Sequence, residues 1–352
     1  MDVRVLSGQR ERVGIAQYIA RLLAEYQHDS QNVVLHPLSY EKNDSESDGV
    51  AVRVIPRIKG IPWQSLLLPW HLRRHHYDVF HGPAFSIPPF SSVPSVVTIH
   101  DAAFYRMPEV VRSDTVRYLM QVVPRSMRNA AKIIVPSWEV REDLLKMDSD
   151  VSPDRITVIA LGSDRLRDIP PSPESFLEAP YFLHVGTIEP RKNLEFLLEV
   201  FNEIVTKGHV PHHLVLAGSN GWNNESFWRA YEHFPLKDRV HILGYVSDSE
   251  TVRLYHDAAI YLSPSHYEGF GLGSFEALWH GCPVIASPTG GVKDHAVEGL
   301  YVLPTHYVEL WAQKIMEMVK ERVDVDQKTL PTWHETYAQH AALYHEVSHG
   351  KR

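Results

Sequence analysis

The stretch SPSHYEGFGLGSFEALWHGCPVIASPTGG, residues 263–291, places two acids, Glu268 and Glu276, on either side of seven residues that include three glycines. The preceding AIYLSPS predicts a buried strand, HYEGFG a loop, and the residues after it a helix that begins near Leu272 or Gly273. A glycine-rich loop that leads into a helix presents unpaired N–H groups and lets a phosphate approach the backbone closely. The stretch therefore predicts a strand–loop–helix unit with an anion site at its loop.

The two glutamates need a different ligand group, because a carboxylate beside a phosphate site repels phosphate. Hydroxyl groups are the natural candidates, since carboxylate oxygens accept hydrogen bonds from vicinal diols. A nucleotide sugar would use both acids, with sugar hydroxyls at Glu268, ribose hydroxyls at Glu276 and a diphosphate at the loop. The alternative is that Glu268 is a surface loop acid and Glu276 an exposed helix residue, which is the usual place of acidic side chains.

Two cations, Arg191 and Lys192, stand between a predicted strand that ends at Gly186 and a predicted helix. Positive charge at a helix N-terminus opposes the helix dipole. A bound diphosphate would compensate this placement. The alternative is a pair of solvated loop charges, which contribute little.

The rest of the chain alternates β-branched runs with helical patterns, which is typical of parallel sheets. The proline-rich RDIPPSPESFLEAP, residues 167–180, lacks periodicity and reads as a hinge. We predict an α/β protein of two Rossmann-like, doubly wound domains that face a central cleft. The first covers residues 1–165 and is joined by the C-terminal helix 334–352, the linker is 166–180, and the second domain is 181–333.

Several local expectations follow from the same patterns. MDVRVL, NVVLHPL and VAVRVIP predict strands near the N-terminus, and GIAQYIARLLAEYQ predicts the first helix. In NLEFLLEVFNEIVTKG, Asn193 is the expected N-cap and Gly208 the expected C′ residue.

Composition narrows the functional classes. The chain has 352 residues, 44% hydrophobic and 22% charged, and a net charge of −8, which argues against nucleic acid as the main partner. A single cysteine, Cys282, excludes an intrachain disulfide and fits a reducing cytoplasm. The N-terminus lacks the apolar core of a signal peptide and no apolar run approaches the ~20 residues of a membrane span, so we expect a cytoplasmic protein.

Three elements together resemble the retaining glycosyltransferases of family 4, the glycosyl transferases group 1 with the GT-B fold. These are GTIEPRKNLEFLLEVF (186–201), SHYEGFGLGSFEALWHGCPVIAS (265–287) and VVTIHDAAFYRMPE (96–109). They occur in the family's order and at fitting separations, and the resemblance covers nearly the whole chain. It implies a nucleotide-sugar-dependent hexosyltransferase.

The resemblance also implies roles for individual residues. It implies four catalytic residues. His100 would lie near the donor sugar, Glu268 would contact the hydroxyls of the donor sugar, and Arg191 and Lys192 would neutralise the leaving diphosphate. Glu276 would hold the ribose diol. The remaining donor-binding residues that it implies are Gly14, Asp101, Gly186, Thr187, Tyr245, Val246, Gly269, Phe270, Gly271 and Leu272.

The chain departs from the family pattern at four places. Thr187 follows Gly186 where many members have arginine, and Gly273 replaces a common proline. SGQRERVGIAQY has one glycine near the helix instead of a tight double-glycine turn, and the region after GGVKDHAVEG, residues 290–299, lacks the family's acidic-glycine turn. Neither Asp148–Asp150 nor Asp324–Asp326 has the context of a metal motif. We therefore expect no metal and no cofactor, with the nucleotide-diphosphate sugar as substrate.

We predict a retaining transferase that moves a sugar, such as mannose or a related hexose, to a glycan or lipid-linked acceptor in surface polysaccharide synthesis. The alternatives are a sugar-nucleotide epimerase or hydrolase on the same scaffold, and a non-catalytic sugar-nucleotide sensor. The apolar and basic segment IPWQSLLLPWHLRRHH, residues 61–76, is expected to pack on the first sheet. Its alternative role is a peripheral contact with the inner face of the membrane.

Overall fold

The computed structural model describes residues 1–6, 14–28, 33–40, 52–55, 63–321 and 323–350 of the 352-residue chain. These residues form two compact units, one made of Met1–Gly162 with Pro331–Arg352 and the other of Ser163–Leu330.

The first unit contains a four-stranded parallel sheet of order β3-β4-β5-β6 and a two-stranded parallel sheet of β1 and β2. In chain order its elements before residue 163 are α1 (Ile15–His28), β1 (Leu38–Ser39), β2 (Arg53–Val54), α2 (Leu68–Arg74), β3 (Phe80–Gly82), β4 (Ser95–Thr98), α3 (Ala103–Arg106), α4 (Ser113–Asn129), β5 (Lys132–Val135), α5 (Trp138–Met147) and β6 (Ile156–Val158). β3 and β4 are buried along their whole length, and β5 is buried except at Lys132, as expected where helices flank a parallel sheet.

The N-terminal strand prediction is only partly right. Asp2 forms an isolated bridge with Leu38, and its N–H donates to the carbonyl of His81 at 3.0 Å. Arg4–Leu6, however, form a 3-10 turn instead of continuing the strand. The two strands predicted after it are short as well, with two residues each.

Residues 63–74 are helical, first as a π-helical segment, Trp63–Leu67, and then as α2. Trp63, Leu68 and Leu72 are buried, so one face of the segment is covered, as the predicted packing requires. Leu66 and Trp70 on the other face are 69% and 59% exposed. Residues 61 and 62 of this segment lie outside the described residues, and the membrane contact stays a prediction.

The second unit is a six-stranded parallel sheet of order β12-β11-β10-β7-β8-β9. Its elements are β7 (Tyr181–Val185), α6 (Leu194–Gly208), β8 (His213–Ala217), α7 (Glu225–Glu232), β9 (Val240–Gly244), α8 (Asp248–Asp257), β10 (Ile260–Ser263), α9 (Leu272–Trp279), β11 (Val284–Ala286), β12 (Leu300–Val302) and α10 (Val308–Lys320). The chain runs outward from β7 to β9, returns to β10 beside β7 and runs outward again to β12. This is the doubly wound order of dinucleotide-binding sheets.

Sequence periodicity missed three of these elements, α7, β12 and α10, and misplaced the C-terminal end of α6, whereas Asn193 is the N-cap residue as predicted. The residue in the left-handed conformation after α6 is His209, with φ of 49°, and not Gly208. Gly208 is required for packing instead, since a Cβ there would lie 2.7 Å from Met316 Sδ on α10. At the other end, Asn193 is left-handed with φ of 55°, and its side chain does not cap the helix.

The last helix, α11 (Trp333–His349), belongs to the first unit. It begins with a capping box, in which Thr332 Oγ1 accepts from Glu335 N at 3.2 Å and Glu335 accepts from Thr332 N at 3.0 Å. Its apolar face packs on the first sheet, where the buried cluster consists of Val96, Ile134, Ile159, Leu343, Tyr344 and Val347.

Candidate active site

The site expected in the second unit lies where the strand order of the sheet reverses. β7 and β10 are hydrogen-bonded neighbours, but the chain leaves β7 toward β8 and leaves β10 toward β11. Loops that diverge at the carboxyl ends of two such strands leave a crevice, which is the usual ligand position in open α/β sheets. The loop after β7 carries Gly186–Asn193, and the loop after β10 carries Pro264–Gly271.

Several hydrogen bonds hold these loops together, and two of them involve the backbone of the loop after β10. Asn193 Nδ2 donates to the carbonyl of Pro264 at 3.1 Å, and His266 N donates to the carbonyl of Arg191 at 2.8 Å. The left-handed backbone at Asn193 turns its side chain toward the β10 loop, which explains why it does not cap α6. The two motifs that the sequence separates by about 75 residues are therefore one structure.

Glu268 is buried at the centre of this structure. Its Oε1 accepts from Lys192 Nζ at 2.6 Å and from Ser265 Oγ at 2.7 Å, and its Oε2 accepts from Arg191 Nη1 at 2.9 Å. Burial alone would raise the pKa of this carboxyl, but Lys192 and Arg191 outweigh it and bring the pKa to about 2. Glu268 is therefore an ionised, fully oriented carboxylate at neutral pH.

The guanidinium of Arg191 donates its described hydrogen bonds to neighbouring groups of the protein. Its Nε and Nη2 both donate to Glu189 Oε1, at 3.1 and 2.6 Å, and its Nη1 also donates to the carbonyl of Tyr267 at 3.1 Å. Lys192 is different, since its ammonium has three N–H groups and the described contact to Glu268 uses one. Both cations therefore contact Glu268, but their roles differ. The Arg191 guanidinium joins Glu189, Glu268 and the Tyr267 carbonyl, whereas the Lys192 ammonium can donate further hydrogen bonds.

The glycine-rich loop leads into α9 as the sequence predicts, and the helix begins at Leu272. Gly271 precedes it with φ of 93°, a conformation that other residues rarely adopt. Ser274 lies in the first turn of α9, is buried, and its Oγ has no hydrogen-bond partner among the described residues. Phe270 anchors the loop by stacking on Phe275, with ring centroids 4.8 Å apart. Gly269 also belongs to this loop.

The glycine at 273, where family members often have proline, has a local explanation. A Cβ at Gly273 would lie 2.4 Å from the hydroxyl of Tyr261, which donates to the carbonyl of Val185 at 3.1 Å. A buried tyrosine from β10 therefore occupies the space that a larger residue would need.

Glu276 lies one turn into α9 and is buried, not exposed. Its Oε1 accepts from Arg165 Nε at 3.1 Å, and Tyr255 Oη donates to its Oε2 at 3.5 Å. Burial raises the pKa of Glu276, and Arg165 opposes this only in part. Both motif glutamates are thus buried, which contradicts the surface alternative for each.

Other predicted donor-binding residues of the second unit lie at the carboxyl edge of the same sheet. Gly186 directly follows β7, and a Cβ there would lie 3.0 Å from the Nε2 of His184. Thr187 follows it in the same loop, where its methyl group packs against Gly221. Tyr245 and Val246 follow β9, two strands away from β7, and Tyr245 is 53% exposed.

The remaining predicted residues belong to the first unit. His100 follows β4, and its Nε2 donates to the carbonyl of Pro83 at 2.7 Å, so Nδ1 carries the lone pair of the neutral ring. Burial lowers the pKa of His100 and keeps it neutral. Asp101 accepts from Ala103 N at 3.0 Å and so begins α3. Gly14, with φ of 55°, precedes α1.

Three residues that the sequence did not single out belong to these clusters: Glu189, Ser265 and Arg165. Glu189 and Ser265 lie within the predicted motifs, so a closer look at the polar residues there could have found them. Arg165 lies 111 positions before Glu276 and in no motif, so no local pattern points to it.

Among the described residues, no group of three or more histidine, cysteine, aspartate or glutamate side chains is arranged to hold a metal ion. Asp148, from one of the rejected metal motifs, accepts from Arg128 Nε at 2.8 Å. None of the helices in the described part of the chain is both long enough and apolar enough to cross a bilayer.

Comparison with known proteins gives consistent matches. The family profile described as Glycosyl transferases group 1 matches residues 167–330, and that of Glycosyltransferase Family 4 matches residues 13–165. O-antigen chain mannosyltransferase B of Escherichia coli is 33% identical over 263 residues, which cover 72% of this chain and 68% of that protein.

Two solved structures show the fold. Sucrose-phosphate synthase from Thermosynechococcus elongatus has a TM-score of 0.69 at 20% identity, covering 96% of this chain and 94% of that one. HepE from Anabaena, in complex with UDP and glucose, has a TM-score of 0.66 at 17% identity, covering 97% and 95%. These likenesses confirm the predicted GT-B fold.

Proposed function

This chain belongs to the group 1 glycosyl transferases of family 4, and from that premise we propose that it is a retaining mannosyltransferase or closely related hexosyltransferase. The donor is a nucleotide-diphosphate sugar, and the acceptor is a glycan or a lipid-linked glycan of a surface polysaccharide. The choice of mannose is supported by the similarity to the Escherichia coli O-antigen mannosyltransferase. The enzyme works in the cytoplasm, with a peripheral contact to the membrane where the acceptor is lipid-linked.

The observation that carries the proposal is the Glu268–Lys192–Arg191 cluster beside the N-terminus of α9. The helix N-terminus and the Ser274 hydroxyl supply donors for a phosphate oxygen. Lys192 can donate to the same anion and remain paired with Glu268. A buried hydroxyl without a partner is uncommon, and a phosphate oxygen would satisfy it.

Glu268 is the group that orients the donor sugar in this proposal. Its Oε1 already accepts two hydrogen bonds, whereas Oε2 accepts one described bond, from Arg191. An oxygen with a remaining lone pair can accept from a sugar hydroxyl. Because Lys192 and Arg191 keep the carboxylate ionised, it accepts a strong, charge-assisted bond.

The chemistry is charge stabilisation at the leaving group. When the anomeric C–O bond breaks, the sugar becomes oxocarbenium-like and the departing diphosphate gains negative charge. Lys192 and the N–H groups at the start of α9 are fixed donors that stabilise this charge without reorganising. The acceptor oxygen bonds to the anomeric carbon on the face from which the diphosphate leaves, and its proton passes to the departing phosphate oxygen, so configuration is retained and no protein nucleophile is assigned.

The ribose and the base bind toward the other residues that the resemblance implies. Glu276 accepts from the ribose diol, and Tyr245 and Val246 contact the base. His100 and Gly14, which belong to the first unit, remain donor residues that the resemblance implies. No metal ion is required, because Lys192 and the helix N-terminus replace it at the diphosphate.

The test is transfer by the purified full-length chain, with GDP-mannose, UDP-glucose and UDP-galactose each offered with and without O-antigen oligosaccharide acceptors. We expect acceptor-dependent product from one donor, an α-linked product from an α-linked donor by NMR, and unchanged rates in EDTA. Acceptor-independent release of sugar or epimer would contradict transfer, an inverted linkage would contradict retention, and loss in EDTA would contradict metal independence.

One variant separates a transferase from a sensor. His100→Ala should reduce turnover by about 10²-fold or more while changing the donor Kd by less than about threefold, because His100 acts on the reacting sugar and not on the nucleotide. The measurement is turnover beside calorimetric binding of the same donor. A wild-type protein that binds the donor and turns over none of it would favour the sensor.

A further inference from the structure

Side chains of the segment that precedes β7 contact α9 at several points. Trp279 Nε1 donates to Ser163 Oγ at 2.6 Å, Arg165 Nε donates to Glu276 Oε1 at 3.1 Å, and the Arg167 guanidinium lies 5.5 Å from the centre of the Trp279 ring. Leu166 is completely buried between these contacts. Residues 163–167 therefore run along the helix that carries the second motif glutamate.

Arg165 is held from both sides. While its Nε donates to Glu276, its Nη1 lies 2.7 Å from Asp248 Oδ1 in the first turn of α8. Its side chain is 11% exposed, as is that of Glu276, whereas Asp248 is 53% exposed. A rigid, planar guanidinium fixed between two carboxylates has a defined orientation.

In this arrangement the two carboxylate oxygens of Glu276 make different hydrogen bonds. Oε1 is engaged by Arg165 at 3.1 Å, whereas the Tyr255 hydroxyl approaches Oε2 only at 3.5 Å, the long limit of a hydrogen bond. Oε2 is thus the oxygen with capacity to accept. Burial favours the protonated form of Glu276, and Arg165 is the cation that opposes it.

We propose that Arg165 is a positioning residue that fixes the rotamer of Glu276, so that Oε2 accepts from the hydroxyls of a nucleotide ribose. The inference rests on the proposed function of Glu276 as the ribose ligand. It adds a residue outside every motif, in the connection between β6 and β7, to the donor-binding machinery. Without Arg165, Glu276 Oε1 loses its donor and the carboxylate lies beside the negative Asp248, so its rotamer is no longer fixed.

The experiment measures ribose recognition directly. Calorimetry compares GDP with 2′-deoxy-GDP and UDP with 2′-deoxy-UDP on the full chain, for wild type, Arg165→Gln and the control Arg167→Gln. Losing a hydrogen bond to a charged group should weaken wild-type binding of the deoxy form by about tenfold or more. We expect this ratio to fall toward 1 in Arg165→Gln and to be unchanged in Arg167→Gln.

A merely structural role for Arg165 would lower the Tm or weaken both nucleotides equally, and an unchanged ratio in Arg165→Gln would overturn the proposal. Wild-type protein that binds nucleotides without preferring ribose would instead overturn the role of Glu276 itself. If Arg165→Gln does not fold, Arg165→Lys carries the test. It keeps the positive charge but loses the planar guanidinium that contacts both carboxylates, so it should lower the ratio in part, and an unchanged ratio would count against the proposal.

Discussion

Glu268 and Glu276 are two buried acids of one motif, and the pKa values of their carboxyl groups shift in opposite directions. The pKa of Glu268 falls to about 2, although burial alone would raise it, because Lys192 and Arg191 both contact it. The pKa of Glu276 rises, because burial prevails over its one arginine. Burial is the same in the two places, so the number of cations decides the sign.

The difference follows from where the cations are anchored. Lys192 and Arg191 come from the neighbouring strand loop and face Glu268 together, while Glu189 balances Arg191. Arg165 divides its charge between Glu276 and Asp248, so that cluster has one cation for two carboxylates. The first cluster is therefore neutral and the second carries a net negative charge, which fits a diphosphate at the first and hydroxyls at the second.

The largest effect is expected from removing Lys192, the cation proposed to stabilise the leaving diphosphate. Lys192→Met should reduce kcat by about 10²- to 10³-fold, the usual cost of deleting one fixed donor to a developing anion. Donor turnover under saturating acceptor is the measurement. Lys207→Met, which removes a lysine from a surface pair with Glu203 on α6, is the matched control and should leave kcat unchanged. Equal effects of both variants would remove Lys192 from the mechanism.

The second test concerns stability at Glu268. Glu268→Gln leaves Lys192 and Arg191 facing a neutral side chain in a buried site, and should lower the free energy of unfolding by about 3 kcal/mol at pH 7. Because the folded pKa of about 2 lies below the ordinary value of 4.5, this stabilisation is present above pH 4.5 and is lost as the pH falls toward 2.

Urea unfolding at pH 7, 5 and 3 measures this difference, which should shrink at the lowest pH. Glu203→Gln, from the surface pair with Lys207, should cost less than about 0.5 kcal/mol at each pH. A pH-independent difference between wild type and Glu268→Gln would mean that shape, and not the two cations, accounts for the cost.

The contrast also shows what the sequence could predict. Strand–helix alternation predicted the parallel sheets, because buried strands and amphipathic helices have distinct periods. It also placed Arg191, Lys192 and Glu268 at strand ends, and the switch between β7 and β10 brings such ends together. The charge balance at Glu268 was therefore within reach of sequence reasoning.

The surroundings of Glu276, in contrast, could not be predicted from the sequence. Arg165 lies in a connection without periodicity, and only the packing of residues 163–167 on α9 makes it a partner. Similarly, the left-handed conformation at Asn193 and the close contact of Gly208 with Met316 depend on neighbouring elements, not on local propensity. Tertiary packing overrides helix-end rules at such positions.

The smallest effect, and the one of opposite sign, is expected at Glu276. The groups that face its carboxylate are Arg165, Asp248 and the Tyr255 hydroxyl, so Glu276→Gln removes a charge from a net negative cluster and leaves Arg165 paired with Asp248. Since the folded pKa is raised, the ionised carboxylate costs stability once the pH rises above 4.5. Glu276→Gln should therefore raise the free energy of unfolding at pH 7.5 by up to about 1 kcal/mol, as measured by urea denaturation.

The same variant should bind nucleoside diphosphates more weakly, because a neutral amide oxygen is a poorer acceptor for a ribose hydroxyl than a carboxylate. A gain in stability with a loss of affinity is the signature of a charge that is retained for binding and not for folding. Should Glu276→Gln destabilise the protein as strongly as Glu268→Gln does, the two glutamates would be structural equivalents. The opposite shifts in their pKa values would then carry no functional meaning.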